Sequence, residues 1–202
     1  MIQTIFGSPV VFLKTDNIEK IFPEEVYNKS IQRLLHPDNK VFKHPFARGG
    51  EVFTTDHNYD PTLNEVDDLN LLFNFLKKTA LDYAHLFSSE PVKDLKFHTS
   101  WTNLMFKGCE IQNHSDSYDT TKHQSLIITF YPYSPPGGAN LVFIHNSKPG
   151  DWVSECNEKD MIQVSVEQGS IVIFDNRVLH AVSAHNVDDS RMCIATEYII
   201  ET

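Results

Sequence analysis

The spacing of apolar positions divides the chain into two regimes. From Phe97 onward, apolar and polar residues alternate with a period of two, the signature of strands that bury one face. The alternation predicts strands over 97–106, 125–131, 140–144, 162–166, 171–174, 178–183 and 191–200. Pro135-Pro136-Gly137-Gly138, Lys148-Pro149-Gly150-Asp151 and Glu167-Gln168-Gly169 supply turns between them. Many short strands with regular turn signals imply a sandwich or barrel, and a double-sheet jelly roll of about eight strands fits best.

Before Phe97 the pattern is mostly helical. Met1 to Lys14 reads as a first strand. A helix opens at Phe22-Pro23-Glu24-Glu25, where Pro suits the first helical position and the acids face the positive end of the dipole. Val26, Ile31, Leu34 and Leu35 give it an apolar face, and His36-Pro37 ends it. A second helix opens at Asp60-Pro61-Thr62, with Thr62 and Glu65 spaced as a capping box. Leu69, Leu72, Phe73, Leu76, Ala80, Tyr83 and Phe87 then recur at helical spacing and read as a core stripe. The expected fold is mainly β with helices: a double-stranded β-helix, or jelly roll, braced by N-terminal helices. No repeat or linker interrupts the chain, so residues 1–202 read as a single domain, with 1–95 as mostly helical support and 96–202 as the jelly-roll core.

Charge narrows the partners. Lys and Arg number 17 against 27 Asp and Glu, a formal net charge of -10. Such a surface repels phosphate backbones, and no basic run offsets it, so no nucleic-acid partner is expected. Cys109, Cys156 and Cys193 are widely spaced and form no CxxC pair, which suggests neither a zinc site nor a disulfide framework. The first residues lack the charged start and apolar run of a leader, and no stretch approaches the roughly 18 apolar residues of a membrane span. The expectation is a cytoplasmic protein with no membrane partner. The sequence does not speak to oligomeric state.

Among ten histidines, His36, His44, His57 and His85 sit in polar or helical settings and read as surface or packed residues. His114 differs. In Asn113-His114-Ser115-Asp116 it follows a strand and precedes a polar loop. Residues two apart on an extended segment project to the same side, so His114 and Asp116 can reach one metal. His180, after the strand 171–174 and a turn at Asp175-Asn176, is the natural third ligand. Two histidines and one carboxylate on one face leave coordination positions open, the facial triad of non-haem Fe(II) oxygenases. A closed structural zinc site has no such vacancy. Arg191 follows His180 by eleven residues, and the turn 186–190 between them suggests a hairpin that returns the guanidinium to the metal. A buried guanidinium suits a dicarboxylate, because it binds carboxylate through two parallel hydrogen bonds and never loses its charge.

From Trp101-Thr102-Asn103 to Glu197-Tyr198 the sequence resembles the 2-oxoglutarate/Fe(II) oxygenase superfamily. Within it, the likeness is to the small prolyl-hydroxylase-like proteins of bacteria and their viruses. The resemblance is carried by His114-Ser115-Asp116, Gly137-Gly138-Ala139-Asn140-Leu141-Val142-Phe143, Gly169-Ser170-Ile171-Val172-Ile173-Phe174, His180-Ala181-Val182 and Arg191. Ile5-Phe6-Gly7-Ser8-Pro9-Val10 also looks like the opening strand of one subgroup. The resemblance implies Fe(II), 2-oxoglutarate as cosubstrate and O₂. It implies iron on His114, Asp116 and His180, and the distal carboxylate of 2-oxoglutarate on Arg191. It further implies that Asn103 and Tyr131 hold the cosubstrate. Cys193 departs from the pattern: relatives often carry Ser or Thr two residues after the arginine, and a thiol donates only a weak hydrogen bond.

The substrate is not written in these motifs. The implied reaction is hydroxylation of an unactivated C–H, on a prolyl or other side chain of a peptide or on a small free metabolite. The polar segments 115–124 and 148–159 are long enough to shape an entrance, and Trp101 and Trp152 are candidates for an aromatic wall. A free metabolite would need a second charged anchor, for which Arg177 is the candidate. A cupin-like metalloprotein that does not use 2-oxoglutarate would need His145 or His185 at the metal. A non-catalytic jelly-roll binding protein would need no metal at all.

Overall fold

Two antiparallel sheets face each other, and the period-two pattern decides which side chains lie between them. The computed structural model describes residues 1–35, 41–50, 52–55, 67–116, 124–145 and 149–202. The larger sheet has β1 (Ile2–Ile5) and β2 (Ser8–Lys14) at one edge. It continues through β11 (Ser170–Asp175), β8 (Ser125–Tyr133), β13 (Arg191–Glu201) and β6 (Asp94–Met105). It ends with β5 (Val52–Thr55) and β3 (Val41–Lys43). The smaller sheet runs β10 (Met161–Val164), β9 (Leu141–Ile144), β12 (His180–Val182), β7 (Glu110–His114), β4 (Ala47–Arg48). This is the expected jelly roll.

The larger sheet has two buried faces, so its strands are apolar almost throughout. On its outer face, Leu126, Ile128, Phe130, Ile171, Ile173, Met192 and Ile194 pack against Leu69, Leu72, Leu76 and Ala80 of the helix α3 (Asp67–Tyr83). The helical stripe read from the sequence is therefore the brace. At roughly 1.5–3 kcal/mol for each large apolar side chain buried, this layer is a principal stabiliser of the sheet behind the site. On its inner face, Ile127, Tyr131, Val172, Phe174, Cys193 and Ala195 meet Leu141 and Phe143 of the smaller sheet.

One irregularity sets what β6 presents to the interior. Along the β13–β6 ladder Glu197 pairs with Thr99 but Tyr198 pairs with Phe97, so His98 is an extra residue. A bulge of this kind reverses the parity of the facing side chains. Leu95 and Phe97 lie on the helix side, whereas Trp101 packs in the inner core. Asn103, two residues on, shares the face of Trp101 and lines the inner cleft.

The first 95 residues hold more strand than the pattern suggested. Met1 to Lys14 is a hairpin, β1 and β2, turning at Phe6 and Gly7. Both take positive φ, 48° and 86°. Phe rarely accepts that conformation, so the turn carried no usual signal beyond Gly7. β3, β4 and β5 are also additions, each too short for alternation to register. Helices α1 (Ile18–Ile21) and α2 (Glu24–Leu35) follow the hairpin. The end at His36-Pro37 and the start at Asp60 to Glu65 lie outside the described residues, as do His57 and most of the 115–124 loop. Among the described residues no helix is long and apolar enough to cross a membrane.

The expected hairpin from His180 to Arg191 is not formed. β12 belongs to the smaller sheet and β13 to the larger, so the turn crosses between sheets. Arg191 still reaches the cleft, because it begins the inner face of β13 opposite the strands that carry the metal triad.

Candidate metal centre

His114 is the last residue of β7 and His180 the first of β12, and the two are paired across the ladder. Their rings lie 4.4 Å apart between centroids. Asp116 projects from the bend just beyond β7, its amide donating to the Asn176 carbonyl at 3.1 Å. His114 Nε2 is 3.8 Å from Asp116 Oδ1, and His180 Nε2 is 3.5 Å from Asp116 Oδ2. All three ligand atoms fall within 4.8 Å of one another, and among the described residues this is the one such group.

The histidine tautomers follow from their partners. His114 Nδ1 donates to the Gln112 carbonyl at 2.8 Å, and His180 Nδ1 to the Val178 carbonyl at 3.0 Å. A carbonyl only accepts, so each Nδ1 carries the proton and each Nε2 offers a lone pair to the centre. Burial pushes the Asp116 carboxyl up to about 6, with Glu197 adding to the rise and His114 opposing it. Burial pushes His180 down to about 4, against the Val178 hydrogen bond. The 3.5 Å approach of these two groups is therefore not an ion pair. The spacing fits two ligands around a shared cation, which would favour the anionic Asp116 and the neutral His180.

Beside the triad, Asn103, Thr129, Tyr131, Arg191 and Cys193 line the same cleft. All six site residues expected from the sequence thus converge. Arg191 is only 2% exposed, its Cζ 4.7 Å from the centre of the Tyr131 ring. The Tyr131 hydroxyl engages the side chains of Thr129 and Cys193, and burial holds its ionisation above the usual range. Cys193 is pushed up to about 11 by burial, so the thiol stays neutral.

Three of these residues hold buried polar atoms with no hydrogen-bond partner among the described residues: Asp116 Oδ2, Asn103 Oδ1, and Arg191 Nε and Nη2. Leaving such groups unmet costs about 1–3 kcal/mol each, more when charged. A divalent cation would satisfy Asp116, and a carboxylate would satisfy both Arg191 nitrogens. The donor set and the orphaned atoms fit a metal together with an anionic organic ligand.

No protein-family model matches the sequence, and no curated protein does. The backbone, however, superposes on solved structures over most of its length. The fold is that of the 2-oxoglutarate/Fe(II) oxygenases. One match is an oxidoreductase of the 2OG-Fe(II) oxygenase family from Burkholderia pseudomallei: TM-score 0.61, 11% identity, covering 94% of this chain and 85% of that one. The non-heme alpha ketoglutarate dependent epimerase SnoN from nogalamycin biosynthesis matches with TM-score 0.64 and 15% identity over 94% of this chain and 78% of that one. HygX from Streptomyces hygroscopicus, with nickel, 2-oxoglutarate and hygromycin B bound, matches with TM-score 0.58 and 12% identity over 94% and 82%. Identities this low speak to the fold alone; the chemistry rests on the site.

Two aromatic residues at the site escaped the sequence reading. Phe46 stacks on His114, with centroids 5.3 Å apart and planes 26° from parallel. His44 is buried, lines the cleft and lies 6.0 Å from the His114 ring. Both belong to the short irregular stretch between β3 and β4, where no periodicity marks a residue as inward. Trp101 lines the cleft, but Trp152 lies instead beneath the Arg48 guanidinium, 3.9 Å from its carbon. His185 is ruled out as a ligand: its Nδ1 accepts from the Ala139 amide at 3.1 Å and its Nε2 donates to the Asp189 carbonyl at 2.6 Å. His145 is exposed and stacks on Phe6, 4.8 Å between centroids, away from the triad.

Proposed function

We propose that this chain is an Fe(II)- and 2-oxoglutarate-dependent dioxygenase that hydroxylates an unactivated C–H bond, with a prolyl or other side chain of a peptide as its substrate. The observation that carries the chemistry is Arg191: a buried guanidinium with two unmet nitrogens, lining the same cleft as the triad. A structural metal site has no use for it. A 2-oxoglutarate site does, because the cosubstrate must offer a second carboxylate away from the metal.

In this reading His114, Asp116 and His180 hold the iron, and Arg191 takes the distal carboxylate. Iron and 2-oxoglutarate together supply the activation of O₂, with the cosubstrate converted to succinate and CO₂ as one oxygen atom enters the substrate. Tyr131 packs its ring against the guanidinium. Asn103 offers an amide along the cleft wall. Leu141, Val182 and Ala195 keep that wall apolar, so water competes poorly for the bound groups.

The peptide reading is supported by Arg177. Its Nε and Nη2 already hold the Asp175 carboxylate at 2.8 and 2.6 Å, so it makes a poor anchor for an anionic metabolite. The metabolite reading is supported by the fold neighbours, one of which holds hygromycin B and another of which belongs to nogalamycin biosynthesis. One assay separates them. The Fe(II) enzyme is incubated with 2-oxoglutarate and either proline-containing peptides or free metabolites. Succinate formation stimulated by peptide, with a gain of one oxygen by mass spectrometry, supports the proposal; stimulation by free metabolites alone overturns the peptide assignment.

A further inference from the structure

Along the inner face of β13, Arg191, Cys193, Ala195 and Glu197 succeed one another at every second residue. Arg191 is accounted for at one end. Glu197 is not accounted for at the other. It is a carboxylate only 7% exposed, on a strand where every neighbouring inward residue is apolar or belongs to the cleft. A buried carboxylate is retained against a large desolvation cost only if it is hydrogen bonded, and a Gln or an apolar residue would have been cheaper for packing alone.

Its partners lead to the metal centre. Glu197 Oε1 accepts from Ser125 Oγ at 2.5 Å and from Asn176 Nδ2 at 3.2 Å. Asn176 is itself 7% exposed, and its amide donates to the Ser125 carbonyl at 3.3 Å. Its own carbonyl accepts the Asp116 amide at 3.1 Å. The path is therefore short and continuous: carboxylate of Glu197, side chain of Asn176, backbone of Asn176, backbone of Asp116. Asn176 also sits in the turn between β11 and β12, four residues before His180. One buried residue on β13 thus braces the turn that orients both Asp116 and the approach to His180.

We propose that Glu197 is a positioning residue for the metal centre, acting through Asn176 to fix the backbone that presents the Asp116 carboxylate. It does not ligate the metal. Its role is to hold the bend after β7 in the one conformation that aims Asp116 between the two histidines. Groups that orient ligands in this way typically govern affinity by about 10- to 100-fold. The inference rests on the triad being a metal site, and the test keeps the two apart.

The experiment is titration of the metal-free protein with Co(II), read by visible absorption, in wild type and in Glu197→Gln, Glu197→Ala, Asn176→Ala and Ser125→Ala. Far-UV circular dichroism and thermal melting identify any variant that fails to fold. Glu197→Gln keeps an oxygen acceptor for Ser125 and Asn176, so its affinity is expected within about threefold of wild type. Glu197→Ala and Asn176→Ala break the path and are expected to weaken Co(II) binding about 10- to 100-fold and to change the absorption envelope. Ser125→Ala removes a donor that is not on the path to Asp116 and is expected to leave both readouts near wild type. Asn176→Ala retains the Glu197–Ser125 pair and so decides the matter if Glu197→Ala does not fold. A folded Asn176→Ala protein with unchanged affinity and spectrum overturns the positioning role. If wild type itself binds no Co(II), the triad reading falls and this inference with it.

Discussion

His114 and His180 are cross-strand partners, facing each other from β7 and β12 with rings 4.4 Å apart. The pairing explains how residues far apart in sequence form one face of a metal site. Antiparallel partners on one sheet face are held by the ladder itself, so the ligand spacing is set by backbone hydrogen bonds rather than by flexible side chains. Each ring is then fixed in rotation by its own carbonyl partner.

Either ring should therefore be indispensable. His114→Ala and His180→Ala are each expected to abolish stoichiometric Fe(II) or Mn(II) binding, while leaving the circular dichroism of the sheet unchanged. Isothermal titration under anaerobic conditions checks this. Wild-type affinity in both variants would falsify the triad.

The pH dependence of binding should report Asp116 rather than His180. The Asp116 carboxyl rises from 3.8 to about 6, so a proton competes with metal there below about pH 6. His180 falls from 6.5 to about 4 and competes only below that. Metal affinity is expected to drop by about tenfold per pH unit as pH falls from 6 toward 4, with one proton displaced per ion. Stability of the metal-free protein behaves differently. A raised carboxyl pKa contributes stability that is lost as pH rises from 3.8 through about 6. A lowered histidine pKa contributes stability that is regained as pH rises from about 4 through 6.5. The two oppose over the same window, so thermal melting of the metal-free form should show little pH dependence from this pair. A metal affinity flat between pH 4 and 6 would contradict the assignment.

The brace and the site should be separable. Leu76 is fully buried between α3 and the outer face of the larger sheet. Leu76→Ala is expected to cost about 2–5 kcal/mol of stability, by lost transfer free energy and a residual cavity. Metal affinity at a temperature where the variant is folded should match wild type, because the inner face of the sheet is untouched. Urea unfolding and metal titration of the same preparation read both; an equal loss in each would show that the helix shapes the site directly.

Sequence reached some of this and missed the rest for identifiable reasons. β8, β11 and β13 were legible as strands because each is an apolar run bounded by turn signals; which of their faces looks inward was not, since both faces are buried. The triad was legible because His114 and Asp116 are neighbours and His180 opens a strand. The Phe6-Gly7 turn was not, since it uses a residue that normally avoids positive φ. The bulge at His98 was not, since an extra residue leaves no compositional mark, yet it decides that Asn103 faces inward. The route from His180 to Arg191 was read as a hairpin because local spacing cannot distinguish a turn within a sheet from a crossing between two. His44 and Phe46 were hidden because tertiary placement alone brings them to the cleft.

The most direct test of the account is 2-oxoglutarate binding to the anaerobic Mn(II)-loaded protein, by isothermal titration, in wild type and in Arg191→Ala. Wild type is expected to bind one 2-oxoglutarate per chain, and only when the metal is present. Arg191→Ala should weaken it by about 10- to 150-fold, the worth of hydrogen bonds to a charged group, with Mn(II) affinity nearly intact. Absence of 2-oxoglutarate binding to metal-loaded wild type, or equal affinity in Arg191→Ala, would contradict it.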